Sequence, residues 1–159
     1  NHLSLDGIAS CSRLSSLSLL HNDLNSIEPL QGLISLERLS LGWNRIRDLS
    51  PISGLTNLTS LSFWENQVSS LEPLSGLTEL RYLDLSGNAV SDLSPLAGLS
   101  KLEELWMYEN HVSDLTPLTG LMNLQVLMMR NDLNDLSVFR TIFPKLTRTD
   151  ILLRKGGEG

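Results

Sequence analysis

A chain of 159 residues with 41% hydrophobic and 19% charged side chains suits one domain with a continuous core and excludes long solvated tails. A net charge of −6 and the lack of any Lys/Arg run would repel a phosphate backbone, so nucleic acid is a poor partner. The single cysteine excludes an internal disulfide framework, and no stretch is apolar enough to span a membrane.

Residues 1–13 form a partial unit. Leu5, Ile8 and Cys11 fall where Ile27, Leu30 and Leu33 fall one period later. Cys11 thus takes the place of a core leucine and is expected to be a small buried hydrophobe. The chain begins at Asn1, inside this unit, with no amphipathic helix ahead of it. The expectation is a trimmed or processed piece whose first core layer lacks its cover.

Five full units then start at Leu14, Leu36, Leu58, Leu80 and Leu102 and fill 14–123 without insertion. Each follows L-x-x-L-x-[LFM]-x-x-N-x-[LIV]-x-x-[LI]-x-P-[LI]-x-G-L-x-x, a period of 22. Within the run Leu80–Leu85 the residues alternate, so Leu83 and Leu85 point inward while Tyr82 and Asp84 point outward. One short strand per unit, added in parallel, makes a continuous sheet at ~4.8 Å per strand. Asn22, Asn44, Asn66, Asn88 and Asn110 follow the strands and are expected to bond the backbone groups that the turns leave unpaired. Ser50-Pro51, Ser94-Pro95 and Thr116-Pro117 place a capping hydroxyl ahead of a proline, the start of a single 3₁₀ turn on the return path; Glu28-Pro29 and Glu72-Pro73 vary it. A glycine three residues after each proline marks where that turn ends. Leu14, Leu17, Leu19, Leu24, Ile27, Leu30 and Leu33 make one core layer, repeated in each later unit; Phe63 replaces a leucine in its own layer.

The last unit is irregular. Leu124, Leu127 and Met129 keep the pattern, but Asn131 comes one residue early and the proline and glycine vanish. Residues 138–146 read as an amphipathic helix and 146–153 as a last irregular strand. Together 124–153 read as an irregular final repeat and cap covering the end of the stack, with 154–159 as a flexible tail.

The repeats resemble the 22-residue leucine-rich class, which includes bacterial internalins and the eukaryotic group found with protein phosphatase 1, dynein light chains and a spliceosomal A-prime protein. Asp48-Leu-Ser-Pro-Ile-Ser-Gly-Leu-Thr-Asn and Asp92-Leu-Ser-Pro-Leu-Ala-Gly-Leu look very like internalin repeats. Phe139-Arg140, Phe143-Pro144-Lys-Leu146 and Asp150 are loosely similar to the C-terminal cap of the eukaryotic group, without its tyrosine before Arg140 and with Thr149 before Asp150. The resemblance implies an α/β leucine-rich repeat solenoid, with parallel strands on the concave face and short 3₁₀ turns on the convex face. It implies protein binding, and it offers no catalytic residue to carry over. An internalin-like chain would be a surface adhesin, for which an immunoglobulin-like domain after the repeats is expected; residues 124–159 do not read as one.

The information about a ligand lies where the repeats differ. All Trp and Tyr residues occupy outward positions of the strands or the turns after them. Trp64 and Tyr108 share one column two repeats apart, ~10 Å in backbone separation. Tyr82 and Trp106 lie between and beside them, so an aromatic strip centred on repeats three to five is expected. Arg38 and Arg130 flank it, with Glu65, Asp84, Glu104 and Glu109 between; Trp43 and Met128 complete the candidate site. Aromatic centres with mixed polar rims are the anatomy of protein interfaces. The expected role is therefore a non-catalytic module holding a protein or peptide on its concave face, as a subunit or regulator of a larger complex. Alternatives are the surface adhesin and the recognition domain of a larger enzyme; carbohydrate stacking on the same strip is not separable from peptide binding at this stage. No cofactor is expected. His2, His21 and His111 have no metal-ligand spacing with Cys11, no Ser/His/Asp set converges, and the glycines are periodic rather than phosphate-binding. A cytoplasmic location is expected, or the cell surface or secretion for an internalin-like protein.

Overall fold

The computed structural model describes residues 5–129 and 148–151. Its sheet has seven parallel strands in chain order: β1 Ser16–Ser18, β2 Arg38–Ser40, β3 Ser60–Ser62, β4 Tyr82–Asp84, β5 Glu104–Trp106, β6 Val126–Met129 and β7 Arg148–Ile151. Neighbouring strands pair with a constant offset of one repeat, Ser16 with Arg38, Arg38 with Ser60, Ser60 with Tyr82, Tyr82 with Glu104. A sequence without insertions makes that register unavoidable, because a one-residue slip would turn every inward leucine to solvent. The strand expected within 146–153 is present as β7, in register with β6. The helix expected over 138–146 lies outside the described residues, as does the tail.

The return path carries one 3₁₀ turn per repeat, from Glu28–Leu30 to Thr116–Leu118, with a proline in each first turn. The capping reading needs correction. No turn has a side-chain cap, and the residue before each is hydrophobic: Leu49, Leu93 and Leu115 in the Ser/Thr-Pro repeats. Ser50, Ser94 and Thr116 are themselves the first residues of their turns, and their backbone N–H groups donate to Asp48, Asp92 and Asp114, each at 2.8 Å. An aspartate two residues upstream therefore caps the first N–H of each turn, and the hydroxyl, being inside the turn, does not act as its cap.

Between sheet and turns lies one core. From Leu36 to Leu105 its leucines are at most 1% exposed, and Phe63 and Met107 are fully buried. The asparagines stitch the layers together. The Asn44 side-chain oxygen accepts from Asn22 N (3.1 Å) and Leu24 N (2.9 Å), while its Nδ2 donates to Leu19 O and Leu41 O, both at 2.8 Å. Asn66, Asn88 and Asn110 repeat this between their own and the preceding repeat. Each buried amide thus replaces the water its turn would need.

The first layer is thinner than the sequence pattern implies. Leu14, Leu17 and Ile8 are only half-buried, and Cys11 is exposed. Its counterparts Leu33 and Leu55 are buried because a repeat stacks on each side of them. Cys11 belongs to the partial first unit, where the described residues supply a stacked repeat on one side, so the expectation of a buried thiol is corrected.

Candidate functional site

The outward positions of β1–β6 form one continuous sheet face, and its two halves differ in chemistry. Over β1–β3 the floor is Ser16, Ser18, Ser40, Ser60 and Ser62, with Arg38 as its one large side chain. Over β4 and β5 the same positions hold Tyr82 and Asp84 beside Glu104 and Trp106, all half-buried.

Along the edge where the strands end runs a second row. Position eight of each repeat, immediately before the asparagine, is left-handed: His21 (φ 57°), Trp43 (54°), Glu65 (52°), Gly87 (65°) and Glu109 (50°). The turn from strand to buried asparagine requires this conformation. Glycine adopts it freely, whereas a residue with a Cβ pays ~1–2 kcal/mol. Four of the five positions nevertheless carry large polar or aromatic side chains. Backbone strain held by bulky side chains at consecutive equivalent positions marks this edge as a candidate site on physical grounds.

Trp43 and Glu65, both candidates from the sequence, sit in this strained row. Trp43 is 53% exposed. Its ring lies 4.8 Å from His21 and 6.3 Å from Trp64, and His21 and Trp64 meet edge to face at 6.0 Å. Trp64 reaches back over its neighbouring repeat because Gly42 leaves the space: a Cβ there would lie 2.5 Å from the indole Nε1. Glu65 leans the other way, over Gly87, where a Cβ would meet its Oε1 at 2.6 Å. An open depression of about 400 Å³ adjoins the aromatic group, lined by His21, Asp23, Trp43, Asn44, Arg45 and Glu65. Arg45 forms an ion pair with Asp23 on its floor.

Trp106 and Tyr108 make a second group, edge to face at 6.2 Å. Among the described residues the buried Trp106 indole N–H has no acceptor, a cost of ~1–3 kcal/mol. Tyr82 stands beside Asp84 and Glu104. Burial first, then those two charges, push its hydroxyl up to about 12. Burial likewise raises the Asp84 carboxyl above its ordinary value, against the pull of the Ser86 N–H at 3.0 Å.

The aromatic strip expected over repeats three to five is therefore divided. Trp64 joins His21 and Trp43 on repeats one to three, and Trp106 joins Tyr108 on repeat five. Arg38, Tyr82, Asp84 and Glu104 lie on the strand face as expected. Met128 does not extend an exposed site: it faces outward opposite Trp106 in the register, yet is only 2% exposed. Its expected availability is corrected. Arg130 lies outside the described residues. His21, Gly42, Asp23 and Arg45 were missed as site residues. The column positions of His21 and Gly42 were visible in the sequence, but neither the ring contact nor the space above Gly42 has any periodic signal.

Among the described residues no group of three or more His, Cys, Asp or Glu side chains is placed to hold a metal ion. No helix among them is long and apolar enough to cross a membrane.

Comparison with known proteins adds to this geometry. The model for leucine-rich repeats in two copies matches residues 34–76, 56–98 and 78–120. The crystal structure of internalin C2 from Listeria monocytogenes is 35% identical with a TM-score of 0.88, over 93% of this chain and 66% of that one. A second Listeria monocytogenes internalin, InlF, is 29% identical with a TM-score of 0.73, over 93% of this chain and 50% of that one. A leucine-rich repeat protein of Leptospira interrogans is 30% identical with a TM-score of 0.82, over 91% of this chain and 38% of that one. The chain thus spans less than two thirds of these structures' own lengths. Among curated proteins, none matches significantly.

Proposed function

We propose, for a chain that belongs to the leucine-rich repeat family, that it is a non-catalytic module holding a protein or peptide partner on its strand face and the adjoining edge. The observation that carries this reading is the segregation of variability. Where the repeats agree, the residues build core, ladder and turns; every Trp and Tyr lies where they differ, on the strand face or the edge that adjoins it. Trp and Tyr are the residue types that dominate binding energy at protein interfaces. An open, in-register sheet face positions them without closing a pocket of the kind a small-molecule enzyme needs.

The test is affinity capture from native extract, with the partner identified by mass and its affinity for the purified domain then measured. Trp106→Ala with Tyr108→Ala is expected to weaken that affinity by at least ~2 kcal/mol while leaving the thermal transition in place. Unchanged affinity would remove the strand face from the interface.

A second reading is favoured by the likeness to internalins. In it the domain acts at the cell surface or after secretion, as an adhesin, rather than in the cytoplasm as a subunit or regulator. Protease shaving of intact cells separates the two placements: an adhesin is cleaved, a cytoplasmic protein is protected.

A further inference from the structure

The block of side chains on β4 and β5 has an arrangement that none of the other strand pairs shares. Tyr82 and Asp84 alternate along one strand; Glu104 and Trp106 alternate along the next. Tyr82 stands opposite Glu104, and Asp84 opposite Trp106, so the aromatic and the acidic side chains form a two-by-two checkerboard at strand spacing, ~4.8 Å. We propose that this checkerboard is the seat of an arginine side chain supplied by the protein partner. The proposal rests on the reading that this face binds a protein, and adds the chemistry of what it binds.

The first support is uncompensated charge. Neither Asp84 nor Glu104 belongs to an ion pair among the described residues; the three pairs present join other groups. Arg38 is separated from Tyr82 by Ser60 in the same register row, two strands or ~10 Å away. Glu65 and Glu109 on the edge carry the same sign. A partner that brings positive charge here is favoured, because an acidic or apolar segment would bury Asp84 and Glu104 unpaired.

The second support is shape and chemical type. Ser60 and Ser62 on the preceding strand are small and leave the Tyr82–Asp84 side of the block open. A planar cation fits between aromatic and carboxylate neighbours: guanidinium is weakly hydrated, stacks on indole and phenol rings, and donates in a fork that matches carboxylates. Lysine offers a compact, strongly hydrated point charge with no stacking plane. Tyr82, Asp84 and Glu104 occupy outward positions of paired strands and so share one side of the sheet; burial first, then the two carboxylates, raise the Tyr82 hydroxyl pKa. With only two carboxylates in the block, a bare divalent cation would lack ligands.

The experiment titrates ¹⁵N-labelled domain with N-acetyl-arginine methylamide, and separately with its lysine and citrulline counterparts. The Trp106 indole and Tyr82 amide cross-peaks are expected to shift saturably with the arginine compound, several-fold more weakly with lysine, and not with citrulline. Asp84→Asn with Glu104→Gln, a near-isosteric pair whose folding is checked by the dispersion of the same spectrum, is expected to weaken the arginine response at least tenfold. Equal response to lysine, a response to citrulline, no response to arginine, or an unchanged response in the double variant each overturns the assignment. Failure here while Trp106→Ala/Tyr108→Ala still releases the captured partner would leave the binding face intact and remove only the arginine seat. If that variant releases nothing, the binding face itself fails.

Discussion

The two halves of the strand face are built on one scaffold and do different things with it. Over β1–β3 the outward residues are mostly serines, and the bulk sits on the edge, where His21, Trp43 and Trp64 pack against one another beside an open depression. Over β4 and β5 the bulk sits on the strands themselves, mixed with carboxylates. The difference teaches that a repeat scaffold separates stability from recognition. Identical inward positions let the outward ones drift independently, and each half has drifted to its own solution. A partner covering both halves would meet an aromatic edge of mixed charge at one end and a negative, aromatic surface at the other.

If stability and recognition are separate, core truncations should cost the same in either half. Leu39→Ala and Leu83→Ala remove side chains that are 1% and 0% exposed. Each is expected to destabilise by ~2–5 kcal/mol in urea unfolding, with the two values close together. A large gap between them would mean that the halves are not equivalent scaffolds.

The next effect is confined to the first half. In Gly42→Ala the new Cβ would lie 2.5 Å from Trp64 Nε1, so the indole must leave its place against His21 and Trp43. The expected cost is ~1–3 kcal/mol, with a change in tryptophan fluorescence and no shift of the Tyr82 amide in ¹⁵N spectra. Movement of the Tyr82 signal would show that the halves communicate. Smaller again is the relief of strain. Glu109→Gly frees an exposed residue at φ 50° and is expected to stabilise by up to about 1 kcal/mol, the left-handed penalty less the added entropy of the unfolded chain. The same change at Trp43 should gain less, because it also removes the ring contact with His21.

The scaffold was legible in the sequence almost to the residue, because each of its signals recurs once per repeat. Leu83, Asn88 and Pro95 have counterparts that confirm one another. The binding face was legible only as far as the column each residue occupies. Trp64 and Tyr108 share a column, and only Gly42, one repeat earlier, explains why Trp64 turns away toward His21. Cys11 and Met128 failed at the ends of the repeat array, where burial depends on what lies next to a repeat rather than on the repeat itself. The capping hydroxyls failed for a local reason: Ser50, Ser94 and Thr116 lie one residue inside their turns, and Asp48, Asp92 and Asp114, two residues upstream, accept from their backbone N–H groups.

The smallest expected effect is electrostatic, and it has opposite signs in two parts of the molecule. On the return path, hydrogen bonds from Ser50, Ser94 and Thr116 hold Asp48, Asp92 and Asp114 below their ordinary carboxylate value of 3.8. These groups release protons more readily when folded. Their contribution is complete above the unfolded pKa and fades as pH falls through the folded one. On the strand face, burial holds Asp84 above 3.8. Between that value and its raised folded pKa the native state keeps a proton that the unfolded chain has lost, so the Asp84 contribution declines as pH rises through the window. Asp84→Asn, whose side-chain oxygen still accepts from the Ser86 N–H, removes this penalty. In urea melts the variant is expected to match the parent at acid pH and to exceed it by a growing margin toward neutrality. A margin independent of pH would show that Asp84 is not held against its charge. The binding face would then carry its carboxylates at no cost to folding, and the contrast between the two halves would be one of shape alone.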